Sequence, residues 1–74
     1  MNTTPNYNLQ IIGENIRKYR RKKGWSQEDF AFETALHRTY IGGIERGERN
    51  LTVLNLIIIA EKLEVTLDDL YPVA

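Results

Sequence analysis

The chain contains no cysteine, which removes disulfides, thiolate metal sites and cysteine nucleophiles together. It has one histidine, His37, and a single imidazole builds neither a metal site nor a catalytic triad alone. No apolar run approaches the ~18 residues of a membrane span, and no signal peptide opens the sequence. Gly42, Gly43 and Gly47 follow no strand-like segment, so their spacing does not read as a nucleotide-binding loop. No cofactor or metal is expected, an enzyme is the least favoured class, and a cytoplasmic protein with no membrane partner fits.

Net charge is absent too: 10 Lys/Arg balance 10 Asp/Glu. The balance hides an asymmetry. Residues 1–50 carry nine basic and six acidic side chains, a net of +3, whereas residues 51–74 carry one and four, a net of −3. A basic half backed by an acidic one suits a surface that meets phosphates, because counterion release depends on local contacts rather than total charge. Seventy-four residues allow one domain, and a chain of that size buries only about 60% of its unfolded surface. A partner subunit would help such a marginal core.

What is present is helical patterning with clear punctuation. Residues 1–7 show no periodicity and read as a flexible tail, leaving 8–74 as a single domain. From 8 to 23 the stripe Leu9, Ile12, Ile16, Tyr19 predicts an amphipathic helix, stopped by Gly24 after a cationic last turn that complements the helix dipole. Six of the seven residues from Arg17 to Lys23 are basic. About half of that run reads as a solvated helix end; Arg17, Arg21 and Lys23 are candidates for phosphate contact.

Ser26-Gln27-Glu28-Asp29 is a capping box that opens a second helix, with Trp25 as a hydrophobic staple and Phe30, Ala31 and Phe32 as the apolar side. A break at 34–37 follows. A third helix, capped by His37, runs from Arg38 to about Arg46 and stops at Gly47. Two short helices joined so tightly form a helix-turn-helix.

At 100° per residue, Ile41 and Ile44 point inward while Arg38, Thr39, Gly42, Gly43 and Arg46 share the opposite face, which contains no acid. Arginine donates two hydrogen bonds to guanine O6 and N7, and threonine meets a thymine methyl or a base edge. That face suits the DNA major groove, with Arg38, Thr39 and Arg46 reading bases and Gly42 and Gly43 permitting close approach. A relaxed sequence preference is an equal account of the glycines. Tyr40 lies between the faces, its ring packed inside and its hydroxyl directed at a phosphate.

A fourth helix, capped by Thr52 and reaching Leu63, carries two stripes. Val53, Leu56, Ile59, Ala60 and Leu63 suffice for the core, which leaves Leu54, Ile57 and Ile58 uncovered. Large aliphatics are worth about 1.5–3 kcal/mol each when removed from water, so the second stripe reads as a homodimer surface. A last short helix opens with a Thr66/Asp69 capping box. Leu67, Leu70 and Tyr71 close the core or extend the dimer surface.

The run SQEDFA, a gap, LHRTYIGGIERGERN and the following apolar helix resemble the helix-turn-helix domain of the lambda-repressor and Cro (XRE-type) family. Within it they resemble most the small controller proteins of restriction–modification systems, over roughly Leu9 to Leu70. The resemblance implies an all-α, compact five-helix lambda-repressor-like DNA-binding domain whose second and third helices form the motif. It implies a structural ion pair, Arg20 with Glu45, and phosphate contacts from Gln27, Arg49 and Asn50. It also implies a sequence-specific transcriptional regulator that binds a palindromic double-stranded operator as a homodimer, with two dimers on DNA as a further state. Activation, repression or both would follow, with RNA polymerase as a further partner through Glu28, Asp29 and Glu33. Relatives commonly carry glycine where this chain has Ala35, and polar side chains where it has Gly42 and Gly43. A phage- or plasmid-type repressor, an antitoxin of the same fold, and a protein-interaction module that has lost DNA binding stay open as alternatives.

Overall fold

Every helix among the described residues begins at a side chain that accepts from one or two of its orphan N–H groups. The computed structural model describes residues 6–72. Helix α1 (Tyr7–Lys22) starts where Asn6 Oδ1 accepts from the Asn8 and Leu9 amides. Helix α2 (Gln27–Thr34) opens with a reciprocal box: Asp29 N donates to Ser26 Oγ at 3.0 Å, and Ser26 N donates to Asp29 Oδ2 at 2.9 Å. Helix α3 (Arg38–Glu45) is capped by His37 Nδ1, which accepts from Thr39 N. Thr52 caps α4 (Val53–Leu63), and a second reciprocal box, Thr66 with Asp69, opens α5 (Leu67–Leu70). Each such cap contributes about 1 kcal/mol. Helix start points are therefore set locally, within three residues of each cap.

The helices close around Ile16, Phe30, Ile41, Ile44, Ile59 and Leu70, all essentially inaccessible to water. Trp25 stacks on Phe30 with ring centroids 5.9 Å apart, a staple between the residue before the cap and the fourth residue of the helix. The fold is all-α with five helices, and no strand occurs among the described residues. Helix α3 lies between α1 and α2. It approaches α1 at Gly13, where a Cβ would stand 2.8 Å from the Glu45 carbonyl oxygen and closer still to that of Ile44. At the end of α3, Gly47 takes φ +73° and completes a Schellman turn: Glu48 N donates to Gly43 O, and Gly47 N to Ile44 O.

Several expectations need correcting. Residues 1–5 of the expected tail lie outside the described residues, and Asn6 and Tyr7 belong to the cap and first turn of α1. Phe32 is 84% exposed, because α2 turns its Phe30 and Thr34 sides to the core and Phe32 falls on the opposite face. Val53 is 72% exposed: as the first residue of α4 it projects past the core that Ile59, Ala60 and Leu63 fill. Of the last three apolar residues, Leu70 closes the core while Leu67 and Tyr71 remain accessible.

Ala35 ends α2 in the left-handed region, φ 58°, where a Cβ is strained by about 1–2 kcal/mol. Ala35→Gly is expected to raise stability by about 1 kcal/mol, read as a higher midpoint in urea with an unchanged m-value. The α5 box gives a pH-dependent expectation. The Thr66 backbone N–H, and then its hydroxyl, hold the Asp69 carboxyl below the usual aspartate range. Its contribution is thus present above the ordinary aspartate value and lost as pH falls through the lowered one. Amide exchange in α5 should accelerate in that acid window, and Asp69→Asn should remove the pH dependence.

Candidate nucleic-acid interface

Glu45, the last residue of α3, is the point from which the site is built. Its carboxylate is buried, 2% exposed, and receives the Arg20 fork: Nε to Oε2 at 2.6 Å and Nη2 to Oε1 at 2.9 Å. Arg20 Nη1 also donates to the Trp25 carbonyl at 2.8 Å. Gln27 Nε2 donates to Glu45 Oε1 at 3.2 Å, and Arg17 Nε approaches the same oxygen at 3.9 Å. One carboxylate therefore joins α1, the α1–α2 connection, α2 and α3. It fixes the angle at which the outer face of α3 is presented.

On that face Arg38, Thr39 and Arg46 are exposed. With Ser26, Gln27 and Glu28 they line an open concavity of about 560 Å³ between the start of α2 and α3. Gly42 also lines it, but neither glycine lies open. Gly42 and Gly43 are both buried, because side chains lie over them. A Cβ on Gly42 would stand 3.1 Å from Arg46 Nη1 and 3.4 Å from Gln27 Oε1; one on Gly43 would stand 2.5 Å from Arg49 Cγ. The missing side chains make room for the protein's own Arg46, Gln27 and Arg49.

The structure places the remaining candidates unevenly. Gln27 is half-buried beside Glu45, Arg17 is half exposed near the same carboxylate, and Arg21, Arg49 and Asn50 are exposed. Lys23 pairs with Glu64 at the end of α4 and lies 5.4 Å over the Trp25 ring. The Tyr40 hydroxyl donates its one proton to the Asn50 carbonyl and accepts from Asn55 Nδ2. It anchors the loop after α3 instead of pointing at a phosphate.

The outer face is also not free of acid. Arg38 Nη1 is 2.6 Å from Glu28 Oε1, and Arg46 Nε is 2.9 Å from Glu48 Oε1. Helical projection of α3 missed both acids because they belong to α2 and to the loop after Gly47. Only Glu48, two residues beyond Arg46, left a local trace. The apolar surface expected for dimerisation is accessible in the single chain, with Leu54 67%, Ile57 39%, Leu67 46% and Tyr71 37% exposed, and Ile58 half-buried.

A five-helix fold whose third helix displays arginines outward, pinned by a buried Arg–Glu pair, defines a helix-turn-helix protein. Residues 16–70 match the helix-turn-helix family, and the chain belongs to it. Among its relatives is control protein C.SmaI of Serratia marcescens, 48% identical over 61 residues that span 82% of this chain and 73% of that protein. The controller protein C.AhdI from Aeromonas hydrophila superposes with a TM-score of 0.84 at 38% identity, covering 89% of this chain and 100% of that one. The controller C.Esp1396I, crystallised as a tetramer with its natural 35 base-pair operator, superposes with a TM-score of 0.79 at 42% identity, over 89% and 87% of the two chains. Among the described residues no helix is long and apolar enough to cross a membrane.

Proposed function

We propose that the chain is a sequence-specific double-stranded DNA-binding transcriptional regulator, acting as a restriction–modification controller. The observation that supports this most directly is the exposed Arg38, Thr39 and Arg46 triplet on a helix whose orientation is held by Glu45. The three side chains read base edges, while Gln27, Arg49, Asn50, Arg17 and Arg21 meet phosphates and set register. Leu54, Ile57, Ile58, Leu67 and Tyr71 pair two copies about a two-fold axis. The recognition helices then enter successive major grooves about 34 Å apart. Residues 8–74 act as one DNA-binding and dimerisation domain, without catalysis, in the cytoplasm. Two dimers share an operator, a reading supported by the C.Esp1396I tetramer on its natural 35 base-pair operator, and RNA polymerase is met through Asp29 and Glu33 beside Glu28.

Selection of bound duplexes from a random pool tests the reading: an inverted repeat should emerge. Recovery of no preferred sequence, together with retention on duplex DNA that is insensitive to salt, would sink it. On the recovered repeat, Arg38→Ala or Arg46→Ala should each cost about 1–3 kcal/mol and relax preference at one base position per half-site. Arg21→Ala should instead weaken all duplexes alike and lower the salt slope by about one.

A further inference from the structure

We propose that Glu28 and Glu48 are specificity determinants, each holding one outward arginine on the protein until a base edge replaces it. This rests on the DNA-binding reading above. Both base-reading arginines, and no other residue of the outer face of α3, are ion-paired with acids from outside that helix: Arg38 with Glu28 at 2.6 Å and Arg46 with Glu48 at 2.9 Å. All four side chains are more than half exposed, so the pairs are weak and exchange readily. They also neutralise the charge that would otherwise dominate the concavity.

The consequence follows from what each duplex offers. Non-specific DNA presents phosphates, and exchanging a carboxylate for a phosphate swaps one anion for another. The arginine gains little and releases no additional counterion, since it was already neutralised. The approaching strand meanwhile meets the negative charge of Glu28 and Glu48. A guanine in register supplies two acceptors spaced for the guanidinium fork, and only there does leaving the carboxylate bring a new directional interaction. The two acids therefore suppress binding to the wrong sequence more than to the right one, a device that acts through the competitor.

Glu28→Gln/Glu48→Gln keeps side-chain shape at exposed positions and leaves the Schellman turn, which uses only the Glu48 amide, in place. Binding is titrated against salt on two duplexes: the inverted repeat selected from the random pool, and a shuffled duplex of the same composition. On the shuffled duplex the salt slope should steepen by about 0.9 per released arginine and affinity should rise on the order of ten-fold. Affinity for the inverted repeat should rise less than about three-fold, so the specificity ratio falls. Glu33→Gln is the control, an exposed acid of α2 with no ion pair among the described residues. An equal rise on both duplexes, or a matching effect from Glu33→Gln, would overturn the proposal and leave DNA binding standing. If the unsubstituted protein binds neither duplex in a salt-dependent way, the DNA-binding reading fails, and this proposal with it.

Discussion

Arg20→Ala is expected to destabilise the protein by about 3–5 kcal/mol. The substitution strands the Glu45 carboxylate, 2% exposed, without the two hydrogen bonds at 2.6 and 2.9 Å that hold it. It also leaves the Trp25 carbonyl without its donor. Gln27 supplies one remaining bond at 3.2 Å, and half-exposed Arg17, whose Nε stands 3.9 Å from the carboxylate, offsets the charge only weakly. A domain of this size has a total stability of only about 4–11 kcal/mol, so most of it would be lost. With about 4–8 °C per kcal/mol, the thermal midpoint by circular dichroism should fall by at least roughly 12 °C. Arg20→Lys should recover little, because an ammonium cannot reproduce a fork that serves Glu45 and Trp25 at once. The double variant Arg20→Met/Glu45→Leu should be more stable than either single change, since it removes both buried charges. A loss below about 1 kcal/mol for Arg20→Ala would mean that the pair behaves like a surface pair and does not set the angle of α3.

Gly13→Ala carries the second large effect, and its sign runs against helix propensity. In the middle of an exposed helix, alanine in place of glycine is favourable by about 1 kcal/mol. Here the added methyl would press on the carbonyl oxygens of Ile44 and Glu45, the latter at 2.8 Å. These are backbone atoms at the end of α3, so no rotamer change relieves the contact. Helix α1 must move away, which separates Ile16 from Ile41 and Ile44 and lengthens the Arg20–Glu45 bonds. Overpacking of this kind costs about 1–3 kcal/mol, and strain on the ion pair adds to it. A denaturant midpoint that falls, with DNA affinity falling further than stability alone accounts for, is the expected pattern. A Gly13→Ala protein more stable than its parent would show that the α1–α3 approach relaxes freely.

These effects sit in different places relative to what the sequence disclosed. The capping boxes at Ser26 and Thr66, the His37 and Thr52 caps and the stop at Gly47 are visible in the chain because each depends on residues at most a few positions apart. The inward pair Ile41 and Ile44 is visible for the same reason, through helical period. Gly13 carried no signal: a glycine inside a helix gives no hint of the backbone that will lie against it. Tyr40 and Lys23 were placed on the right elements, but the partners that engage them, Asn50, Asn55 and Glu64, come from a loop and α4.

The sequence by itself determined five helices, where the second to the fifth begin, and that the third turns Arg38, Thr39 and Arg46 away from its isoleucines. Those are outcomes of hydrogen bonds and periodicity confined to single turns. Only the tertiary structure decided that Arg49, Arg46 and Gln27 cover Gly42 and Gly43, that one carboxylate ties three helices, and that both outward arginines are held by acids. Such meetings join residues up to 25 positions apart. They depend on the angles at which helices cross, and those angles follow from the packing of the whole core rather than from any one segment.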